Sequence, residues 1–274
     1  MIHPIDEKLL ALELKKRVSS EVEIRYTNEC ASTNSECMQL GIQLNNKAVV
    51  YVTDHQTSGR GRRGNVWHSP AGKNIYCSIG FHKTISAQYL GLVSLQTGVS
   101  IATVLCDMGF ENIDLKWPND LICAGKKLGG ILIETRVLEN DEYYLVIGFG
   151  LNVNQDMSQL DESVKQQITQ PATSLIQLAG QPVDRQDLLV KIIPQLIRAI
   201  TDLSTETVPE VIRNFSNLDY LQGKEVTVKT INGNKSGRYL GIEESGQIRV
   251  LIDNEITQFS SAEISLRESS NATN

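Results

Sequence analysis

Apolar and polar positions along this chain follow two periods, 3.6 and 2, and each switch between them marks an element. Ile5, Leu9, Leu12 and Val18 lie at helical spacings among charges, which predicts an amphipathic helix over residues 5 to 18. The stretch before residue 20 is too short to add a DNA-reading winged helix. Val22, Ile24 and Tyr26 then alternate with polar residues as a strand does. Thr33 and Glu36 have the spacing of a capping box, so the turn Ser32-Thr33-Asn34 is expected to open a helix reaching Leu44. Ala48 to Thr53 is a β-branched strand, Asp54 to Gly72 a polar glycine-rich loop, and Asn74 to Phe81 another strand. Residues 86 to 108 predict a long helix, followed by a strand ending at Trp117 and a Pro-Asn-Asp turn. Leu128 to Val137 and Tyr143 to Val153 flank Glu139-Asn140-Asp141 and predict an antiparallel hairpin.

Residues 155 to 172 predict an irregular loop, and 184 to 203 and 208 to 218 predict helices. Beyond Gly223 the character changes. Val226 to Val228, Arg238 to Ile242, Ile248 to Ile252 and Ile256 to Phe259 are short strands separated by Gly and Asn turns. Their regular spacing predicts a small β-barrel or sandwich of roughly 50 residues. The expected division is a larger unit over 1–220, a β-unit over 221–268 and a disordered polar tail over 269–274.

Composition narrows the chemistry. Of 274 residues, 41% are hydrophobic and 21% charged, as in ordinary globular proteins, which argues against a disordered chain. The net charge of −6 offers no global positive field for nucleic acid, so any anion site must be local. The five cysteines have no C-x-x-C spacing and are expected to be buried thiols. The four histidines have no metal-ligand spacing, and no G-x-S-x-G elbow is present. No apolar run is expected to span a bilayer, and the start of the chain does not read as a leader, so a cytoplasmic location with no membrane partner is expected.

Four segments carry candidate chemistry. Gly59-Arg60-Gly61-Arg62-Arg63-Gly64 matches G-x-G-x-x-G, yet no helix opens at it, so a dinucleotide fingerprint is disfavoured. What remains is a backbone able to wrap a ligand, with guanidiniums that hold carboxylate or phosphate; the plain alternative is a solvated loop. Lys116-Trp117-Pro118-Asn119-Asp120 places a cation, an amide and a carboxylate at a strand end, or is an ordinary turn. Lys126-Lys127-Leu128-Gly129-Gly130-Ile131-Leu132 has two glycines that leave one strand face bare, either for a ligand or for another strand. Gly148-Phe149-Gly150-Leu151-Asn152-Val153-Asn154 adds amides able to read a heterocycle, or is a strand bend.

In this order, together with Ser32-Thr33-Asn34, Gln56 and Trp67, the segments resemble the biotin protein ligase family. Gly237 and Gly241-Ile242 resemble that family's C-terminal domain. The resemblance implies an α+β fold: a mixed sheet with flanking helices, of class II synthetase and biotin/lipoate ligase type, plus a C-terminal SH3-like β-barrel. It implies the joining of biotin to a lysine of a biotin carboxyl carrier protein with ATP and Mg2+, through biotinyl-5′-AMP. Asn65 departs from the family, in which a further basic residue often follows the glycine loop. The regulatory DNA-binding role of some members is not expected here, and a monomer or homodimer is.

The roles implied by the resemblance are specific. Lys127 and Arg62 are the catalytic candidates. Ser32, Thr33, Asn34, Gln56, Arg60, Gly61, Arg62, Lys127, Gly130 and Leu132 are expected around biotin. Arg62, Arg63, Trp67, Lys116, Asn119 and Asn152 are expected around the nucleotide, with Asp120 on the nucleotide or metal side. Arg238 and Glu243 are candidates for contacting ATP. The hydroxyls and amides of Ser32, Thr33, Asn34 and Gln56 suit the donors and acceptor of a ureido ring. Two readings compete: a lipoate or octanoate protein ligase of the same fold, and a non-catalytic biotin sensor.

Overall fold

The computed structural model describes residues 4–18, 22–44, 48–160, 162–166, 168, 170–230, 233–261 and 265–268. The expected tail over 269–274 lies outside them. Helix α1 (Glu7–Arg17) leads into strand β1 (Val22–Cys30), helix α2 (Thr33–Gln43) and strands β2 (Ala48–Gln56) and β3 (Ile75–Thr84). Helix α3 (Leu90–Asp107) follows, then strands β4 (Ile113–Lys116), β5 (Asp120–Cys123), β6 (Lys126–Val137) and β7 (Glu142–Leu151). These strands form one mixed sheet in the order β1-β2-β3-β7-β6-β5-β4, in which only β1 and β2 run parallel. The hairpin expected from the period-2 pattern is β6–β7, paired from Gly129↔Leu151 to Val137↔Tyr143.

The alternation within β2 shows how both faces are covered. Val50 and Val52 point into the main core, whereas Val49 and Tyr51 join Cys37, Tyr144 and Val146 in a smaller cluster beneath α2. The main face is roofed by α3 together with α6 (Arg185–Thr201) and α7 (Val208–Ser216), and α1 packs on α6. Asp184 caps α6 by accepting from the Gln186 and Asp187 amides. Between β7 and α6 the stretch expected to be an irregular loop contains the short helix α4 (Glu162–Lys165), and a further short helix that was not expected, α5 (Leu175–Ala179), follows it.

Strands β8 (Glu225–Thr230), β9 (Gly233–Ile242), β10 (Ile248–Ile252), β11 (Glu255–Phe259) and β12 (Ser265–Glu268) form a five-stranded antiparallel sheet in the order β11-β10-β9-β8-β12. Its apolar side is continuous with the main core: Val226, Val228, Tyr239, Ile248 and Val250 belong to the same buried cluster as Leu92, Trp117 and Phe215. Trp117 Nε1 donates to the Gly246 carbonyl at 2.9 Å, and Tyr239 Oη donates to the Asp219 carboxylate at 2.8 Å.

Several expectations need correction. On α1 the buried stripe is Leu10 and Leu14, with Ile5 just ahead of the helix, while Leu9 and Leu12 are 47% and 53% exposed. Helical spacing fits both sets, and only packing against α6 chooses between them. The residue capping α2 is Ser32 rather than Thr33, and no side-chain cap bond forms there. Cys37, Cys77 and Cys123 are buried as expected, but Cys106 is exposed. Residues 87–107 are long and apolar enough to cross a membrane by length and composition, contrary to expectation; most of that stretch is buried as the central helix of the core.

Candidate functional site

The polar Gly-Arg segment folds into a tight hairpin. The Gly61 amide donates to the Asn65 carbonyl at 2.7 Å, the Trp67 amide donates to Gly59, and Arg63 and Gly64 take left-handed backbone angles at the tip. Only one short helical turn, Arg62–Gly64, forms here, so the dinucleotide fingerprint lacks its helix. The hairpin leans over β6 and β7 and roofs a cleft of about 1080 Å³.

Ser32, Thr33, Asn34, Gln56, Arg60, Gly61, Arg62, Arg63, Trp67, Lys116, Asn119, Asp120, Lys127, Gly130, Leu132 and Asn152 line this one cleft as expected, whereas Arg238 and Glu243, the candidates for contacting ATP, do not line it. Residues up to 120 apart in the chain meet because β6 and β7 run through the middle of the sheet, with the hairpin and the start of α2 on either side.

One end of the cleft is a buried polar network. Gln56 Oε1 accepts from the Thr33 amide at 3.0 Å and from the Thr33 hydroxyl at 3.2 Å, and Gln56 Nε2 donates to Ser69 Oγ at 3.1 Å. Asn34 Nδ2 donates to the Leu132 carbonyl and to Glu134 Oε2, at 3.2 and 2.7 Å. Arg60 grips both Glu134 oxygens at 3.0 and 3.1 Å and donates to Ser35 Oγ. Gly148 is what admits Asn34, because a Cβ there would stand 2.0 Å from Asn34 Oδ1. Ser78, buried with its hydroxyl 2.6 Å from Asn34 Oδ1 and 2.7 Å from Thr33 Oγ1, and Glu134 were not among the expected site residues. A serine inside the apolar run Tyr76-Cys77-Ser78-Ile79 was the signal available for the first.

The other end is cationic. Lys127 Nζ pairs with Asp120 at 2.7 Å and stands 5.4 Å from the centre of the Trp67 ring. Gln170 Nε2 donates to the second Asp120 oxygen at 2.9 Å. Arg62 donates to the Ser261 carbonyl in the turn after β11; burial, followed by the nearby Arg63 charge, lowers its pKa from the ordinary arginine value. Trp67 lies flat on the bare strand face, since a Cβ on Gly150 would meet its indole at 2.4 Å and one on Gly130 at 3.1 Å. Of the pair Gly129-Gly130 expected to expose backbone to a ligand, only Gly130 faces this indole, together with Gly150, while a Cβ on Gly129 would meet Leu121 and Leu151.

Some expected side chains are already engaged. Asn119 Nδ2 donates to the Ile131 carbonyl and Asn152 Nδ2 to Thr173, so each amide keeps its oxygen and one further N–H. Glu243 accepts from Ser245 and Gln258 within the C-terminal sheet. Among the described residues no group of three or more His, Cys, Asp or Glu side chains could hold a metal ion, and Asp120 is taken by Lys127 and Gln170.

Comparison with known proteins agrees with this geometry. Residues 27–152 match the model of the biotin/lipoate A/B protein ligase family, and residues 222–267 match the biotin protein ligase C-terminal domain. The chain is 31% identical over 199 residues to the biotin–[acetyl-CoA-carboxylase] ligase of Mycobacterium tuberculosis, covering 70% of each protein. It is 29% identical over 262 residues to the bifunctional ligase/repressor BirA of Bacillus subtilis, covering 94% of this chain and 79% of that one. The solved biotin protein ligase from Aquifex aeolicus, in complex with biotin and ATP, superposes with a TM-score of 0.71 at 28% identity, covering 90% of this chain and 99% of that one.

Proposed function

Because this chain belongs to the biotin/lipoate A/B protein ligase family and is a biotin protein ligase, we propose that it forms biotinyl-5′-AMP from biotin and ATP and passes the biotinyl group to a lysine of a biotin carboxyl carrier protein. One observation carries this reading: a buried end rich in hydroxyls and amides and a cationic end around Lys127 and Trp67 share a single cleft. The uncharged ureido ring suits the first, and the carboxylate and phosphates suit the second.

The first half-reaction brings two anions together. At about 4 Å and an effective dielectric near 20, their repulsion is about 4 kcal/mol, so a cation between carboxylate and α-phosphate lowers the barrier directly. Lys127 takes this role, and the incoming carboxylate shares its ammonium with Asp120. Arg62 and Arg63 hold phosphate oxygens at the hairpin, and Trp67 offers its indole face to the adenine. The hairpin also keeps water from the mixed anhydride until an acceptor amine arrives.

The same-fold alternative, a ligase of long aliphatic acids, is disfavoured by the polar end of the cleft. A chain without a ureido ring would leave Thr33, Asn34 and Gln56 facing hydrocarbon, and sites built for hydrogen bonding reject such ligands strongly. ATP–pyrophosphate exchange tests the reading. Exchange is expected to depend on biotin and not on lipoate or octanoate. The reverse dependence would assign the aliphatic acid, and biotin binding without exchange would assign a sensor.

A further inference from the structure

The segment from Gln170 to Thr173 is fastened to the backbone of Lys127 on both sides. The Lys127 amide donates to the Pro171 carbonyl at 2.8 Å, the Thr173 amide donates to the Lys127 carbonyl at 2.9 Å, and Asn152 Nδ2 donates to the Thr173 carbonyl at 3.1 Å. Gln170 is thereby held beside the lysine, and its Nε2 reaches Asp120 Oδ2 at 2.9 Å. The other Asp120 oxygen is the one that pairs with Lys127. A lysine does not fix its own charge, because the ammonium ends a flexible four-carbon stem that loses rotamer entropy on being held. Among the described residues, Asp120 is the carboxylate paired with this ammonium, while the Trp67 ring 5.4 Å away attracts it without setting its direction. Asp120 can hold the ammonium at one point only if its own carboxylate does not swing. Among the described residues, Gln170 is the side-chain donor on its second oxygen.

We infer that Gln170 is a positioning residue for the adenylate-forming step: by holding Asp120 Oδ2 it keeps that carboxylate on Lys127 through one oxygen, and so fixes the ammonium where carboxylate and α-phosphate meet. An ammonium has three N–H donors, and with one given to Asp120 Oδ1 two remain for the incoming anions. A released carboxylate would turn its second oxygen to the same ammonium and take another donor. A neutral amide suits this task. A cation in its place would compete with Lys127 for Asp120, and a carboxylate would repel Asp120. Gln170 acts through Asp120 and needs no contact with substrate. The inference rests on the functional reading above, in which Lys127 stands between two anions.

The test measures kcat and KM of biotin-dependent ATP–pyrophosphate exchange from about pH 6 to about pH 8.5 in two variants. Gln170 is only partly buried, so both are expected to fold, and circular dichroism checks this. Gln170→Leu keeps the bulk of the side chain and loses the donor. Its kcat is expected to fall about tenfold at every pH, with KM for biotin and for ATP within about twofold of wild type. Gln170→Glu is expected to fall at least as far at the alkaline end, where two carboxylates face each other beside Lys127, with the Arg62 charge also acting on Asp120. As pH falls the carboxylate pair takes up a proton, and the introduced carboxyl can donate to Asp120 as the amide did. Its kcat relative to wild type is expected to recover about fivefold or more at the acid end. A merely structural role for the segment would lower both variants alike with no recovery, and direct contact with the nucleotide would raise KM for ATP rather than lower kcat. Either result overturns the inference, as does a kcat for Gln170→Leu within about twofold of wild type. Wild type lacking biotin-dependent exchange would instead overturn the functional reading, and the inference with it.

Discussion

Lys127 and Gly148 show how single positions act on different parts of the site. Lys127 is the cation that stands where two anions must meet, so Lys127→Ala is expected to lower biotin-dependent ATP–pyrophosphate exchange by about 100-fold or more. Biotin binding should remain measurable by calorimetry, because the head-group contacts lie at the other end of the cleft. Gly148 acts by what it lacks. An added Cβ would stand 2.0 Å from Asn34 Oδ1, and Asn34 cannot yield without breaking its bonds to Leu132, Glu134 and Ser78. Gly148→Ala should therefore weaken biotin binding on the order of 10- to 100-fold. Unchanged affinity in that variant would mean that Asn34 contributes nothing to holding the ring.

At the scale of elements, the Gly-Arg hairpin and the β4–β5 turn are both tied to the C-terminal sheet. Arg62 reaches the Ser261 carbonyl, and Trp117, in the turn before β5, donates to Gly246 between β9 and β10. At 2% exposure Trp117 packs in the core, and its indole N–H also ties the two sheets together. Trp117→Phe keeps the apolar contact and leaves the Gly246 carbonyl without that donor. The expected loss is about 1–3 kcal/mol, read as a lower urea midpoint with an unchanged slope. A changed slope would indicate that the C-terminal sheet had begun to unfold separately.

For the molecule as a whole, the junction between the sheets carries a pH dependence. Asp219 sits there under Tyr239, and burial pushes its pKa from 3.8 up to about 6, against the hydrogen bonds from Tyr239 and the Leu221 amide. A carboxyl whose pKa is raised by folding binds more protons in the native state between the two values, so its stabilising contribution is complete below about 3.8 and is lost as pH rises through about 6. Denaturation curves between pH 4 and 7.5, for wild type and Asp219→Asn, isolate this group by difference. Wild type should lose stability relative to the variant across that window and run parallel above it. A difference independent of pH would place the titration elsewhere.

The sequence by itself determined most of the strands and one side of the cleft. β-Branched alternation is a local property, which is why β2, the β6–β7 hairpin and the C-terminal strands were legible, and the ordered motifs brought in the cleft residues of the hairpin, β6 and β7 by resemblance. The short strand β5 was read as part of a turn, and Met157, Leu160, Ile168 and Gln170 line the cleft from a stretch read only as an irregular loop. Tertiary structure decided what local pattern leaves degenerate. The helical spacing of α1 fits two stripes, and only contact with α6 buries Leu10 and Leu14 rather than Leu9 and Leu12. Gly130 and Gly150 read as bare backbone, yet the indole of Trp67 fills the space, because a hairpin more than 60 residues earlier folds over them. Ser78 and Glu134 stayed hidden for the same reason. A serine in a strand and a glutamate four positions beyond Gly130 acquire meaning only when sheet register sets them beside Asn34, since a hydrogen bond depends on distance and direction in space and the chain encodes neither locally.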